Sequence, residues 1–200
     1  MSLQFDCPLP AAIPSIGNLA CAEHFGQVVK VGFQRTGYNF ADITDEAEWD
    51  VVLAAAGATK VQFSPFTEGL TFPSGDPIVE GPDDNSTLFG QTIVLGGPSV
   101  VAAGFHRGLS SAICTELQEY MGESSVFGNL GVYLINEHNQ VISAGVTVFD
   151  IQSYFIGDAT SEGFNTHNKT NFQWSFAYGW SKNFTISAPL SWSIINKQNP

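Results

Sequence analysis

Two hundred residues carrying 19 acids against 7 Lys and Arg, a formal net charge of −12, exclude binding to nucleic acid through neutralised phosphates, which needs clustered cations. Hydrophobic residues make up 44% of the chain, enough for one domain with a real core. Charged residues are only 13%, against roughly 25% in ordinary globular domains, so Asn, Gln, Ser, Thr and Gly must supply the polar surface.

Residues 1–24, with Pro8, Pro10 and Pro14, read as an extended N-terminal arm. Gln27–Arg35 alternates, with Val29, Val31 and Phe33 on one side and Lys30 and Gln34 on the other, which predicts a half-buried strand. Thr44–Ala56 predicts a helix. Asp45 with Glu48 resembles a capping box, Asp45, Glu46 and Glu48 suit the positive end of the dipole, and Trp49, Val52, Leu53 and Ala56 form one apolar stripe ahead of Gly57. A strand follows at Thr59–Phe63. Ser64–Gly90 holds four prolines, four glycines and five acids with no Lys or Arg, yet also Phe66, Leu70, Phe72, Ile78, Val79, Leu88 and Phe89. Such a segment is too apolar for a free linker. It reads as a long loop or hairpin that docks on its own domain or, more sharply, on a neighbouring subunit, with those seven residues as the candidate interface.

Gln91–Leu95 predicts a short strand. Leu109–Met121 predicts a second helix, capped by Ser110 or Ser111, with Ile113, Leu117, Tyr120 and Met121 on one face and Gly122 at its end. Leu130–Ile135 and Gln140–Ala144 flank Asn136-Glu137-His138-Asn139 as a hairpin, and Val146–Asp150 and Tyr154–Ile156 continue as strands. About eight strands and two helices result. The expected fold is mainly β (α+β), a single domain over 1–200. Its architecture is an antiparallel β-sandwich or open barrel with two flanking helices and a long loop at 64–90.

The last segment places Phe172, Trp174, Phe176, Tyr178 and Trp180 at every second position, and the even parity continues through Phe184, Ile186, Ala188, Leu190, Trp192 and Ile194. One strand of that length would exceed about 60 Å at ~3.3 Å per residue, so two strands joined near Gly179–Asn183 are expected. Both would face one core, making Phe172, Trp174, Phe176, Tyr178, Trp180 and Trp192 core residues alongside Trp49 of the first helix's stripe. A base-stacking platform would want adjacent cations, and only Lys182 is close. The reverse face, Gln173, Ser175, Ala177 and Gly179, is small and uncharged, as suits a wall facing water or a smooth lumen.

The sequence contains no GxSxG, P-loop, HExxH or GxGxxG pattern, and His24, His106, His138 and His167 are scattered, so no catalytic residues are assigned and an enzyme is not expected. Cys7 with Cys21-x-x-His24 offers three zinc donors without an evident fourth, and structural cysteines or a Cys7–Cys21 disulfide are the plainer readings. Asp83-Asp84-Asn85-Ser86 lacks the EF-hand spacing and reads as a solvated turn. No metal or cofactor is expected. No run reaches the roughly 18–20 apolar residues of a membrane helix, and MSLQFDCPLP lacks the pattern of a secretory leader, so no membrane partner is expected.

FGQVVKVGFQR (Phe25–Arg35) with Cys21 just ahead, DNSTLFG (Asp84–Gly90) and Tyr178-Gly-Trp180 resemble small structural proteins of phages of Bacteroidetes-type hosts. The resemblance implies a virion protein, made in the host cytoplasm, and no catalytic residues come with it. A tail-tube subunit fits best among virion roles. It implies a β-sandwich with a flanking helix, a long loop reaching neighbours, and stacked homo-oligomeric rings (hexameric in a tail tube) around an acidic channel through which DNA slides. The partners implied are further copies of the chain and other virion proteins. The second helix and the clustering of acids in the loop depart from that pattern, leaving capsid decoration, head–tail connector and tail terminator as alternatives. From another class, a carbohydrate- or receptor-binding β-sandwich module is the competing expectation.

Overall fold

A computed structural model describes residues 25–81, 87, 90–126, 129–161, 163, 167–189 and 191–198. In chain order the elements are β1 (Val28–Arg35), α1 (Glu46–Ala54), β2 (Val61–Phe63), β3 (Glu68–Thr71), β4 (Ile78–Glu80), β5 (Ile93–Gly96), β6 (Val100–Arg107), α2 (Ser111–Ser124), β7 (Leu130–Asn136), β8 (Val141–Ser143), β9 (Phe149–Asp150), β10 (Ser153–Thr160), β11 (Lys169–Phe176) and β12 (Thr185–Ser187). A 3₁₀ turn, Trp180–Asn183, precedes β12. The N-terminal arm expected at 1–24 lies outside the described residues.

The fold is β-rich, with antiparallel pairing and two helices, and its sheets do not close into a barrel. One sheet has the order β12-β8-β7-β1-β2, with β9 sharing an edge of β7 with β8; a second has the order β10-β11-β6-β3; β4 and β5 form a separate ribbon. Between the two larger sheets, Val31, Phe33, Val132 and Leu134 meet Tyr154, Ile156, Phe172, Trp174 and Phe176, with Leu117 of α2 at the side. On the far face of the first sheet Tyr133, Ile135, Val141, Val61 and Phe63 pack under Trp49, Val52 and Leu53 of α1 and under Ile194.

Alternate residues of β7 therefore serve different cores, and all seven of its positions are buried. A strand covered on both faces reads as a continuous apolar run, as LGVYLIN does. The same layering corrects the expectation for β1. Lys30 and Gln34 do not face water; they are buried in the second core. A register shift between Val28 and Lys30 lets Val28 join Val31 and Phe33 in the first core. The polar pair is satisfied: Tyr133 Oη donates to Gln34 Oε1 (2.9 Å), and Gln34 Nε2 donates to the Thr59 carbonyl (2.6 Å).

Eight consecutive residues, Val100–Arg107, form β6 at the centre of the second sheet, a strand the sequence reading did not predict. Two of its inward residues, Ala102 and Gly104, are small because the neighbouring strand's are large. Gly104 lies opposite Phe172 and Ala102 opposite Trp174. A Cβ on Gly104 would stand 2.9 Å from Phe172 Cζ, closer than packed carbons approach.

Both helices begin at their predicted caps. Asp45 accepts from the Ala47 N–H, and Ser110 from the Ile113 N–H. Glu48 does not complete a capping box; its carboxylate instead accepts from Ala41 N and Asp42 N, tying down the chain ahead of the helix. Helix α2 continues past Gly122 to Ser124, whose hydroxyl accepts from the Tyr154 N–H and joins the helix end to β10. Among the described residues no helix is long and apolar enough to cross a membrane.

Candidate assembly surface

The chain crosses from the first sheet to the second over residues 64–67. Ser64 and Thr67 fix this crossover on β1: Ser64 N donates to the Val31 carbonyl (2.7 Å), Ser64 Oγ accepts from Val31 N (3.0 Å), and Thr67 Oγ1 donates to the Val28 carbonyl (3.1 Å). Strand β3 then pairs with β6. The stretch expected to be one long loop thus begins as part of the domain, and the described strands β4 and β5 come only after Phe72. Since β3 leads into these two strands and β6 leads out, they are an extension of the β3–β6 hairpin. They pair with each other alone.

Two of the seven candidate interface residues are corrected by this arrangement. Leu70 and Phe72 are partly buried against their own core, with Phe72 near Trp180 (ring centroids 5.7 Å) and Phe176 (6.3 Å). Phe66, Ile78 and Val79 are exposed, Phe66 to 61%. Leu88 and Phe89 lie outside the described residues. Three residues the sequence reading left in an ordinary strand join the exposed group: Ile93, Val94 and Leu95, the last two each 61% exposed. The unbroken IVL run has no polar alternation and reads in sequence as a buried strand, so it carried no signal of this exposure. The ribbon consequently exposes apolar side chains at consecutive positions of both strands.

Tyr178 is a second correction. It is not core but 63% exposed, because β11 ends at Phe176 and the chain turns at Gly179, which is left-handed (φ 78°). Its ring lies on the root of the ribbon, where a Cβ on Gly97 would meet Tyr178 Cδ2 at 2.3 Å. Trp180 stacks on Phe176 (4.4 Å) from the 3₁₀ turn and is half-buried. Trp192 is half-buried against the second core, its indole N–H donating to the Thr44 carbonyl (2.8 Å). Trp49, Phe172, Trp174 and Phe176 are fully inside. The even-parity stripe does span two strands, but β11 and β12 lie in different sheets and its end serves the second core rather than the first.

A hollow of about 410 Å³ opens between the crossover and α2, lined by Lys30, Phe63, Phe66, Ile113, Glu116 and Tyr120 among others. Lys30 Nζ donates to the Ile195 carbonyl (3.2 Å) and to that of Lys197, and it sits 4.7 Å from the centre of the Phe63 ring. Burial lowers its pKa. The Tyr120 hydroxyl is pushed up to about 12, first by burial and then by Glu116, Glu119 and Glu123. A smaller hollow alongside is lined by Lys60, Gln62, Tyr120 and the ion pair of Arg35 with Glu123 (2.6 Å).

On the outer face of the second sheet Gln173 and Ala177 are exposed and Ser175 half-buried, with Ser153 Oγ and Ser175 Oγ hydrogen-bonded across strands (2.6 Å). Gly179 lies beyond this face, in the turn. Arg107 and Lys169 flank Phe105 at one end of the sheet, and Arg107 pairs with Glu68 (2.8 Å). Most acids sit instead on α1, on α2 and between 68 and 84.

Among the described residues no group of three or more His, Cys, Asp or Glu side chains converges. Cys7, Cys21, His24 and Asp83–Ser86 lie outside the described residues. Taken together, the molecule is an antiparallel two-sheet sandwich with a projecting apolar ribbon. Comparison with protein-family models, with curated proteins and with solved structures returned no match.

Proposed function

We infer that this chain is a self-assembling structural subunit of a phage virion, a tail-tube protein whose rings stack around a DNA channel. The observation that carries the reading is the β4–β5 ribbon. A lone two-stranded ribbon is marginal in water, and contiguous exposed apolar surface marks an interaction site. This one shows Ile78, Val79, Ile93, Val94 and Leu95 to solvent together. A contact made by such an arm on a different surface of the next copy is heterologous, which generates rings and stacks rather than closed dimers. The net charge of −12 supports the same reading, since an acidic wall lets DNA pass without adhering.

Negative-stain electron microscopy and light scattering of the purified protein test it. Rings and tubes that grow with concentration are expected. Single rings that never stack would point to a connector or terminator, and monomers at every concentration would refute assembly.

A further inference from the structure

We propose that the ribbon of one copy docks into the hollow between the 64–67 crossover and α2 of the next copy. This rests on the assembling-subunit reading above and specifies its contact. The first support is placement. The ribbon leaves the sandwich at Thr71 and Val100, whereas the hollow lies by Phe66, whose carbonyl accepts from His106 Nδ1 (3.0 Å) near the other end of β6. Six steps of ~3.3 Å from His106 to Val100 put the hollow and the root of the ribbon about 20 Å apart, towards opposite ends of β6. Donor at one end and acceptor at the other is a head-to-tail arrangement.

The second support is charge. Residues 72–99 carry Asp76, Glu80, Asp83 and Asp84 and no Lys or Arg. Of the cations lining the two hollows, Lys30 is buried with its Nζ on the Ile195 and Lys197 carbonyls, and Arg35 is paired with Glu123, which leaves Lys60. Lys60 is exposed and makes no ion pair among the described residues, so it is available to an incoming carboxylate. The third is shape and polarity. The main hollow's walls are the rings of Phe63, Phe66 and Tyr120, and its volume accommodates several branched aliphatic side chains such as Val94 and Leu95. Desolvated aromatic pockets filled by apolar anchors are where interface energy concentrates.

A complementation experiment tests this. Val94→Asp with Leu95→Asp spoils the ribbon and keeps the hollow; Phe66→Asp spoils the hollow and keeps the ribbon. All three side chains are exposed, and circular dichroism checks that each variant folds. Each alone should require at least tenfold more protein to assemble. Their 1:1 mixture should give heterodimers and nothing larger, because only one productive contact remains. Lys60→Glu should weaken assembly several-fold at low salt, and Glu80→Lys in the same chain should restore it. If the Phe66→Asp and Lys60→Glu proteins both assemble like the unchanged protein while the ribbon variant does not, the ribbon docks elsewhere. That result overturns this contact and leaves the assembling subunit standing. An unchanged protein that stays monomeric overturns both and assigns the ribbon to a different protein.

Discussion

His106 shows how a single side chain can tie two parts of this fold together. It is 2% exposed, stacks on Phe172 (4.5 Å) and holds the crossover through the Phe66 carbonyl. Burial lowers its pKa below the ordinary value near 6.5, and the hydrogen bond to Phe66 only partly opposes this. The folded chain therefore keeps the imidazole neutral where the unfolded chain would already take a proton. The stability this contributes is complete above about pH 6.5 and is lost as pH falls from there towards the lowered folded value. Urea titrations between pH 7 and 5 should show it, and His106→Phe should reduce the slope by up to ~1.4 kcal/mol per pH unit. Periodicity in the sequence, helical for Trp49 and strand-like for Phe172, Trp174 and Phe176, was enough to find these four. It misjudged Lys30 and Gln34, because alternation reports a wet face only when one exists, and both faces of β1 are covered.

At the scale of elements, one turn residue makes several of the hydrogen bonds that hold the C-terminal segment on the second core. Asn139, between β7 and β8, adopts a left-handed backbone (φ 62°). Its Oδ1 accepts from Ile194 N (2.8 Å) and Ser193 Oγ (3.1 Å), while its Nδ2 donates to the Trp192 carbonyl (2.9 Å). Asn139→Ala removes these bonds and puts a Cβ in a conformation that disfavours it. It should cost about 2–4 kcal/mol in urea unfolding. Asn139→Gly, which accepts the backbone, should cost less, and the difference isolates the conformational part. The hairpin was legible from Asn136–Asn139, but its bonds to residues more than fifty positions away were not. β6 escaped for a related reason. VVAAGFHR looks weak alone, and its small residues make sense only beside the rings of β11. The reading of 64–90 as one loop failed at β3, whose pairing with β6 is set by a strand absent from that reading.

For the whole molecule, the charge of −12 sets the conditions for association. Copies repel at long range while the ribbon attracts at contact, and salt shortens only the first. The screening length falls from about 10 Å at 0.1 M to about 3 Å at 1 M. Assembly should therefore strengthen as salt rises over that range, measured as growth in scattering mass, and a decrease would mean that surface ion pairs dominate the contact. The β-rich sandwich was readable because periodicity and hairpin signals are local. The ribbon's exposure was not, because an apolar strand looks the same in sequence whether it is buried or bare. Its root also has a mechanical consequence. The ribbon is continuous with β3 and β6, and β6 is paired with β11 in unbroken register from Arg107–Lys169 to Val100–Phe176. A pull on the ribbon along the strand axis loads that whole ladder in shear, so its bonds share the force rather than unzipping one after another.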